Sequence, residues 1–195
     1  MSEKSTKEKI MEEAARLFYY NGFDGTSIRS ITDHANVNVS MIKYYFNNKQ
    51  GLLEHMTVDY FEKYIDMLEE ITNEEELTDQ EHFFHVIDEI IHYKYERFQF
   101  SCFIQRELSL DNMFIRELFS TYVAKEKYLL KKITNSFSRE WNLNGTEREV
   151  FYLQLKSLIN GPFTYANDWQ DQYHWDRSED TFISQYVQLL KKWFS

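Results

Sequence analysis

The sequence predicts an all-helical protein, and three observations carry that expectation. Only one Pro and five Gly occur among 195 residues. No run of alternating apolar residues sits between hairpin turns, as a half-buried strand would require. Apolar residues recur instead at spacings of three and four behind residues suited to capping a helix. The pattern amounts to about nine helices, divided into a small domain over residues 1–48 and a larger one over 49–195.

The first helix opens on the capping box Ser5-Thr6-Lys7-Glu8, turns Ile10, Ala14, Leu17 and Phe18 inward and stops at Gly22. A short second helix over Ser27–His34 puts Ile28, Ile31 and Ala35 on one side, leaving Arg29, Ser30, Asp33 and His34 outward. After a turn at 35–37, Asn38 can accept a bond from a backbone N–H two or three residues on, which starts a third helix. Val37 before that cap and Ile42 four residues after it form a hydrophobic staple. Ile42 and Phe46 hold the third helix on the domain, so Val39, Ser40, Met41, Lys43 and Tyr44 remain on its free face.

Two short helices in this order form a helix-turn-helix, whose second helix suits the major groove of DNA. Asn38, Val39, Ser40, Met41 and Lys43 lie nearest the bases in this reading. Ser40 is small enough for close approach, Val39 or Met41 can meet a thymine methyl, and Lys43 can reach a guanine edge or a phosphate. Thr26, Ser27, Tyr44, Tyr45 and Lys49 are expected to position the protein on phosphate. The competing reading is an ordinary helical hairpin with a core of aromatics.

The remaining elements follow in order. A fourth helix over 49–71 carries Leu52, Leu53, Met56, Tyr60 and Tyr64 and connects the two domains. The polar stretch 72–80 separates it from a helix over 81–100 with Phe84, Ile87, Ile91 and Tyr95 on one side, and a shorter segment spans 101–110. A long helix over 113–141 presents Phe114, Leu118, Val123, Leu129, Ile133 and Phe137. Thr146-Glu147-Arg148-Glu149 reads as a capping box opening a helix with Phe151, Leu155, Leu158 and Ile159, and Gly161-Pro162 predicts a kink or break, with helix to about 168. A loop at 169–176 precedes the last helix, 178–194. The last two helices are the expected homodimer interface, as a four-helix bundle with their counterparts, because one short reading helix makes too few base contacts alone.

Gly25-Thr26-Ser27-Ile28-Arg29-Ser30-Ile31 resembles the GT-(S/T)-(V/I)-x-x-I opening of the TetR family of bacterial transcriptional regulators. Val37-Asn38 through Phe46-Asn47-Asn48-Lys49 resembles the same family's GVSxGxLYxHFxxK signature, with Ser40 in place of Gly, Lys43 in place of the first Tyr and Tyr45 in place of His. The resemblance implies a TetR-like fold, with a three-helix reader and a helical dimerisation and regulatory domain, binding a roughly palindromic double-stranded DNA site as a homodimer. Residues 103–133 and 153–158 are further similar to a division-linked regulator of this family from Gram-positive spore-formers. That similarity implies action on the division machinery through the Z-ring protein FtsZ. Arg106-Glu107 and Arg116-Glu117, each followed by Leu, are the candidate partner-binding pairs, against the plainer reading of solvated charge.

The formal net charge of −10 is unevenly distributed. Residues 1–55 hold seven basic and seven acidic side chains, leaving 15 basic and 25 acidic in the rest. A neutral reader on an acidic body binds DNA non-specifically only weakly, since counterion release needs clustered cations. The single cysteine, Cys102, excludes an internal disulfide and fits a reducing compartment. With a charged amino terminus and no apolar run near the ~20 residues of a membrane span, the expectation is a cytoplasmic, nucleoid-associated protein.

His82, His85 and His92 share a helix with Asp88 and Glu89, but no second Cys or compact His cluster completes a metal site, so no metal or cofactor is expected. No phosphate-binding glycine loop or isolated carboxylate pair supports catalysis. Aromatics of the second domain, among them Tyr93, Tyr95, Phe98, Phe100, Phe103, Phe114, Phe119, Tyr122, Phe151 and Tyr152, either fill the core or line an effector pocket of the kind the family resemblance implies. An effector-responsive repressor and a helical interaction module without DNA binding are the alternative functions.

Overall fold

In the computed structural model the described residues are 4–73, 77–109, 113–170 and 178–194. Among them all regular structure is helical: α1 Thr6–Asn21, α2 Ile28–Ala35, α3 Ser40–Phe46, α4 Lys49–Thr72, α5 Asp79–Glu96, α6 Phe98–Ser109, α7 Met113–Phe137, α8 Gly145–Thr164, α9 Ala166–Gln170 and α10 Ser178–Phe194, with one 3-10 turn at Arg139–Trp141. Two compact units result, residues 1–62 with 99–119 and residues 63–98 with 120–195. The first thus takes in most of α6 and the start of α7 besides the expected three-helix reader.

In the first unit α1 begins on the expected box, with the Ser5 side chain and Glu8 exchanging bonds, and ends at Gly22, whose φ of 74° favours a residue without Cβ. Ile10, Ala14, Leu17 and Phe18 are buried, as are Ile31, Ile42, Phe46, Leu52, Leu53 and Met56 of the following helices. From α6, Phe103 stacks on Phe18 with ring centres 5.4 Å apart. Ser101 and the Tyr60 hydroxyl of α4 lie 2.9 Å apart. Cys102 is buried, and burial pushes its thiol well above the ordinary range, so it is no ready nucleophile.

The second unit departs from expectation at four places. The helix expected over 81–100 divides at Arg97 into α5 and α6. Its buried face comprises Phe83, Val86, Ile87, Ile90, Ile91, Tyr93 and Lys94, while Phe84 and Tyr95 are only half-buried. The long helix stops at Phe137. The cap of α8 is Asn144 with Glu147 rather than Thr146 with Glu149, because Glu149 is engaged by Lys131 of α7. The expected loop at 169–176 falls largely outside the described residues, as does the middle of the polar stretch 72–80.

Two features organise this unit. Around Phe83, the rings of Phe137, Phe151 and Phe194 gather from α7, α8 and α10, with Phe83 and Phe137 stacked at 3.9 Å. Deeper in, the Lys94 amine donates to the side-chain amide oxygen of Asn160 at 2.5 Å and lies 3.9 Å from Glu126. Glu126 accepts from the Tyr64 hydroxyl at 2.7 Å and faces Lys156 at 3.5 Å. Burial holds the Lys94 amine below the usual lysine range against the opposing pull of Glu126. Burial also raises the Glu126 carboxyl, but Lys94, Lys156 and Tyr64 outweigh it and keep the group ionised.

Pro162 lies inside α8, which continues to Thr164 before breaking at Tyr165. Proline cannot supply the N–H that would pair with the Leu158 carbonyl one turn back. The Tyr186 hydroxyl of α10 donates to that carbonyl at 2.7 Å instead, and the Trp169 indole N–H donates to the Pro162 carbonyl at 2.8 Å. The helix therefore passes through proline because a neighbouring side chain replaces the missing donor. Tyr186→Phe should destabilise the protein by about 1 kcal/mol, the usual worth of such a bond. In a Pro162→Ala background the new N–H can reach Leu158, so the same change should cost less. Urea unfolding of the four proteins checks this, and an equal cost in both backgrounds would refute the substitution of donors.

Candidate nucleic-acid interface

The helix-turn-helix is built by local capping. The Ser27 side chain accepts from Ser30 N–H at 3.0 Å to start α2. Asn36 closes it in the left-handed region at φ 52°, a conformation asparagine tolerates better than most residues. Asn38 then accepts from Ser40 N–H at 2.9 Å. Its carbonyl takes Met41 N–H at 2.9 Å, and that of Val39 takes Ile42 N–H at 3.1 Å. The expected Asn38 bond is present, but the regular part of α3 begins at Ser40, so Val39, whose side chain caps nothing, holds the N-cap position instead of Asn38. At the far end, a Cβ on Gly51 would stand 2.1 Å from the Phe46 carbonyl oxygen, so only glycine lets α4 start this close to α3.

Ile42 and Phe46 are buried, while Asn38, Val39, Ser40, Lys43 and Tyr44 are exposed and Met41 and Tyr45 half-buried. Tyr44 is 76% exposed and meets Tyr45 edge-on at 4.8 Å. Among the described residues Lys43 has no ion-pair or hydrogen-bond partner for its amine. On α2, Arg29 and Asp33 face each other at 3.9 Å on the surface. Of the ten residues expected at DNA, Ser27, Asn38, Val39, Ser40, Lys43 and Tyr44 are thus exposed, and Met41 and Tyr45 are partly so.

Thr26 and Lys49 are placed differently from expectation. Thr26 is buried, its hydroxyl donating to the Leu17 and Gly22 carbonyls at 3.1 and 2.8 Å, so its side chain faces the domain rather than phosphate. The Lys49 amine donates to the Phe23 and Thr26 carbonyls at 2.8 and 2.9 Å and lies 4.4 Å from the centre of the Phe23 ring. Both groups secure the turn between α1 and α2. Their acceptors are backbone oxygens, which residue identity does not reveal.

The two Arg-Glu pairs also separate. Arg116 and Glu117 are exposed. Arg106, still exposed, donates to the Phe18 and Tyr19 carbonyls, and Glu107 is buried, so in this pair it is the glutamate that is turned inward. Burial pushes the Glu107 carboxyl up, opposed by Arg106 and assisted by Asp24. The His82 ring nitrogen meets the Ile71 carbonyl and that of His92 meets the Asp88 carbonyl, at 2.7 and 2.8 Å. Among the described residues no three potential ligands gather in a metal-holding group, and no helix is long and apolar enough to cross a membrane.

Residues 10–56 match the family model described as bacterial regulatory proteins, tetR family. Over 190 residues the chain is 35% identical to the "Probable HTH-type transcriptional regulator YttP" of Bacillus subtilis (strain 168), covering 97% of this chain and 92% of that protein. The Staphylococcus epidermidis biofilm operon negative regulator IcaR is 31% identical over 62 residues, 32% of this chain and 34% of that one. Among solved structures, the transcriptional regulator FadR from Bacillus subtilis, in complex with stearoyl-CoA, matches with a TM-score of 0.69 at 19% identity over 93% of this chain and 96% of that one. The fatty acid degradation regulator FadR from Bacillus halodurans gives 0.71 at 15% identity over 98% and 97%. These structures share the fold, and the YttP likeness spans both units.

The placement of the two lysines separates their roles. Lys43→Ala should leave the unfolding midpoint unchanged while altering the order of preferred DNA sequences. Lys49→Ala should destabilise the protein by about 1–2 kcal/mol, the cost of depriving two partly buried carbonyls of a charged donor. Urea titrations alongside binding to a panel of duplexes test both, and an unstable Lys43→Ala or a stable Lys49→Ala would reverse the assignment.

Proposed function

Because the chain belongs to the TetR family of bacterial regulatory proteins, we propose that it is a homodimeric transcriptional regulator that reads a roughly palindromic DNA site through α3. The observation that carries this reading is the exposed Val39, Ser40, Lys43 and Tyr44 face backed by buried Ile42 and Phe46. Val39 and Ser40, at the amino-terminal end of α3, meet base edges. Lys43 and Tyr44 reach further bases or flanking phosphates, with Ser27 and Tyr45 on the sugar-phosphate chain. The partner reader occupies a half-site roughly 34 Å away along B-form DNA.

The second copy docks on α8 and α10. Val150 and Leu153 on α8, and Leu189 and Trp193 on α10, are large apolar residues 48 to 62% exposed, one helical turn apart on each helix. Facing copies bury them in a four-helix bundle. Leu153→Asp with Leu189→Asp should yield a folded monomer with specific DNA affinity lowered by at least tenfold, as sedimentation and duplex titration would report. A double variant that remains dimeric would move the interface elsewhere.

For the output of the body we infer a RefZ-like role, in which the DNA-bound dimer engages FtsZ and modulates division. Supporting it are the residue pattern over 103–133 and 153–158 and the exposure of Arg116 and Glu117. The names of the relatives speak of transcription, not division. A second reading, an effector-responsive repressor, is favoured by the likeness to FadR, whose structure contains stearoyl-CoA, and by IcaR, named a negative regulator. Selection from a random duplex pool should return a palindrome. On that duplex, Arg116→Ala with Glu117→Ala should abolish capture of purified FtsZ and leave DNA affinity intact. Release of DNA by stearoyl-CoA without any FtsZ capture would instead establish the repressor.

A further inference from the structure

The carboxyl end of α1 has no basic residue in its own last turn. Its terminal carbonyls nevertheless face a guanidinium, that of Arg106, from α6 and nearly ninety residues along the chain. One Arg106 terminal nitrogen donates to the Phe18 carbonyl at 2.6 Å and the other to the Tyr19 carbonyl at 2.9 Å. Phe18 O also accepts Gly22 N–H at 3.0 Å, so Arg106 joins the bond that closes the helix. The same side chain lies 5.9 Å from the Phe103 ring, which stacks on Phe18. A planar fork spanning two adjacent carbonyls is a geometry open to arginine and not to lysine. A positive charge at a helix carboxyl end also opposes the negative end of the helix dipole.

This contact is one of two clamps on a single turn. Four residues further on, Lys49 of α4 holds the Phe23 and Thr26 carbonyls. Ser27 follows at once and caps α2. The path from α1 into the helix-turn-helix is therefore fixed by a cation from α4 at its exit and a cation from α6 at its entry. A small turn held from both sides sets where α2, and with it α3, leaves the domain.

We propose that Arg106 is a positioning residue for DNA reading: through the end of α1 it fixes the placement of α3 without touching DNA. The proposal rests on the DNA-reading function above and adds to it a determinant of site selectivity on α6. Loss of the fork loosens the turn. Misplacing α3 then weakens contacts to base edges, which need fixed geometry, more than contacts to phosphate, which a mobile lysine still reaches.

The test uses the full-length protein with Arg106→Lys, Arg106→Gln and Arg106→Ala. Each is titrated with its selected duplex and with a scrambled duplex at two salt concentrations. Amide hydrogen exchange over residues 18–27 and thermal unfolding are followed in parallel. Arg106→Ala and Arg106→Gln should reduce the preference for the selected duplex by about tenfold, the scale of one lost base contact, with less than threefold change on scrambled DNA. Amides of the turn should exchange faster below the unfolding transition. Arg106→Lys, which keeps the charge but not the planar fork, should fall between. A purely structural role would lower the unfolding temperature and leave the preference ratio of the folded protein unchanged, which overturns the proposal. Should Arg106→Ala not fold, the Lys and Gln variants decide by the same ratio. A wild-type protein with no preferred duplex would remove the DNA-reading function itself, whereas a selective wild type matched by all three variants removes only the part assigned to Arg106.

Discussion

The last carbonyls of a helix have no partners within it, and much of the first unit follows from how that need is met at the end of α1. Gly22 turns the chain, Thr26 returns a hydroxyl to Leu17 and Gly22, and Arg106 and Lys49 contribute charged donors from other helices. Bonds of this kind, with one ionised partner, are each worth about 1.5–3 kcal/mol. Their effect here is directional as much as stabilising. They determine the angle at which the chain enters α2, and the αL residue Asn36 and the Asn38 bond carry that angle into α3.

The second unit has a counterpart in Lys94. A buried ammonium is costly unless it is paired and hydrogen-bonded, and here Asn160 and Glu126 meet both conditions, with Tyr64 and Lys156 completing the carboxylate. Removing one partner of such a pair typically costs about 3–5 kcal/mol, while replacing the whole group by apolar side chains can be neutral. The cluster's contribution is therefore one of arrangement. It takes one residue from each of α4, α5 and α7 and two from α8, and admits a single register among them.

Local chemistry was legible in the sequence and long-range chemistry was not. The cap at Ser5, the stop at Gly22, the helix-turn-helix and the buried stripe of α4 each follow from residues within a turn or two of one another. In α8 two overlapping boxes compete, Asn144 with Glu147 and Thr146 with Glu149. Lys131, from α7, removes Glu149 from the contest. In α5, Phe83 and Phe84 are adjacent and periodicity admits either. The burial of Lys94, which a hydrophobic pattern counts as exposed, turns the helix toward Phe83. Lys49 read as a phosphate contact because its true acceptors are carbonyls, and every residue has one. Arg106 was hidden for the same reason, the one available sign being an α1 without a cation in its own last turn.

The use of Lys49 and Arg106 inside the first unit bears on how the protein finds DNA. The seven basic residues of the first 55 are matched by seven acidic ones. Of these cations Lys4 and Arg16 face carboxylates, Arg29 lies near Asp33, Lys7 meets His55, and Lys49, half-buried, is held by backbone carbonyls. Lys43, on the reading helix, has no such partner among the described residues. Few counterions can be released by so sparse a set of cations, so the salt-dependent, sequence-blind part of binding is small. Affinity must then come from base contacts made at two half-sites together, and these are only as good as the placement of α3. A reader poor in charge depends on geometry, which is why cations positioned on backbone carbonyls, away from the DNA, can govern selectivity.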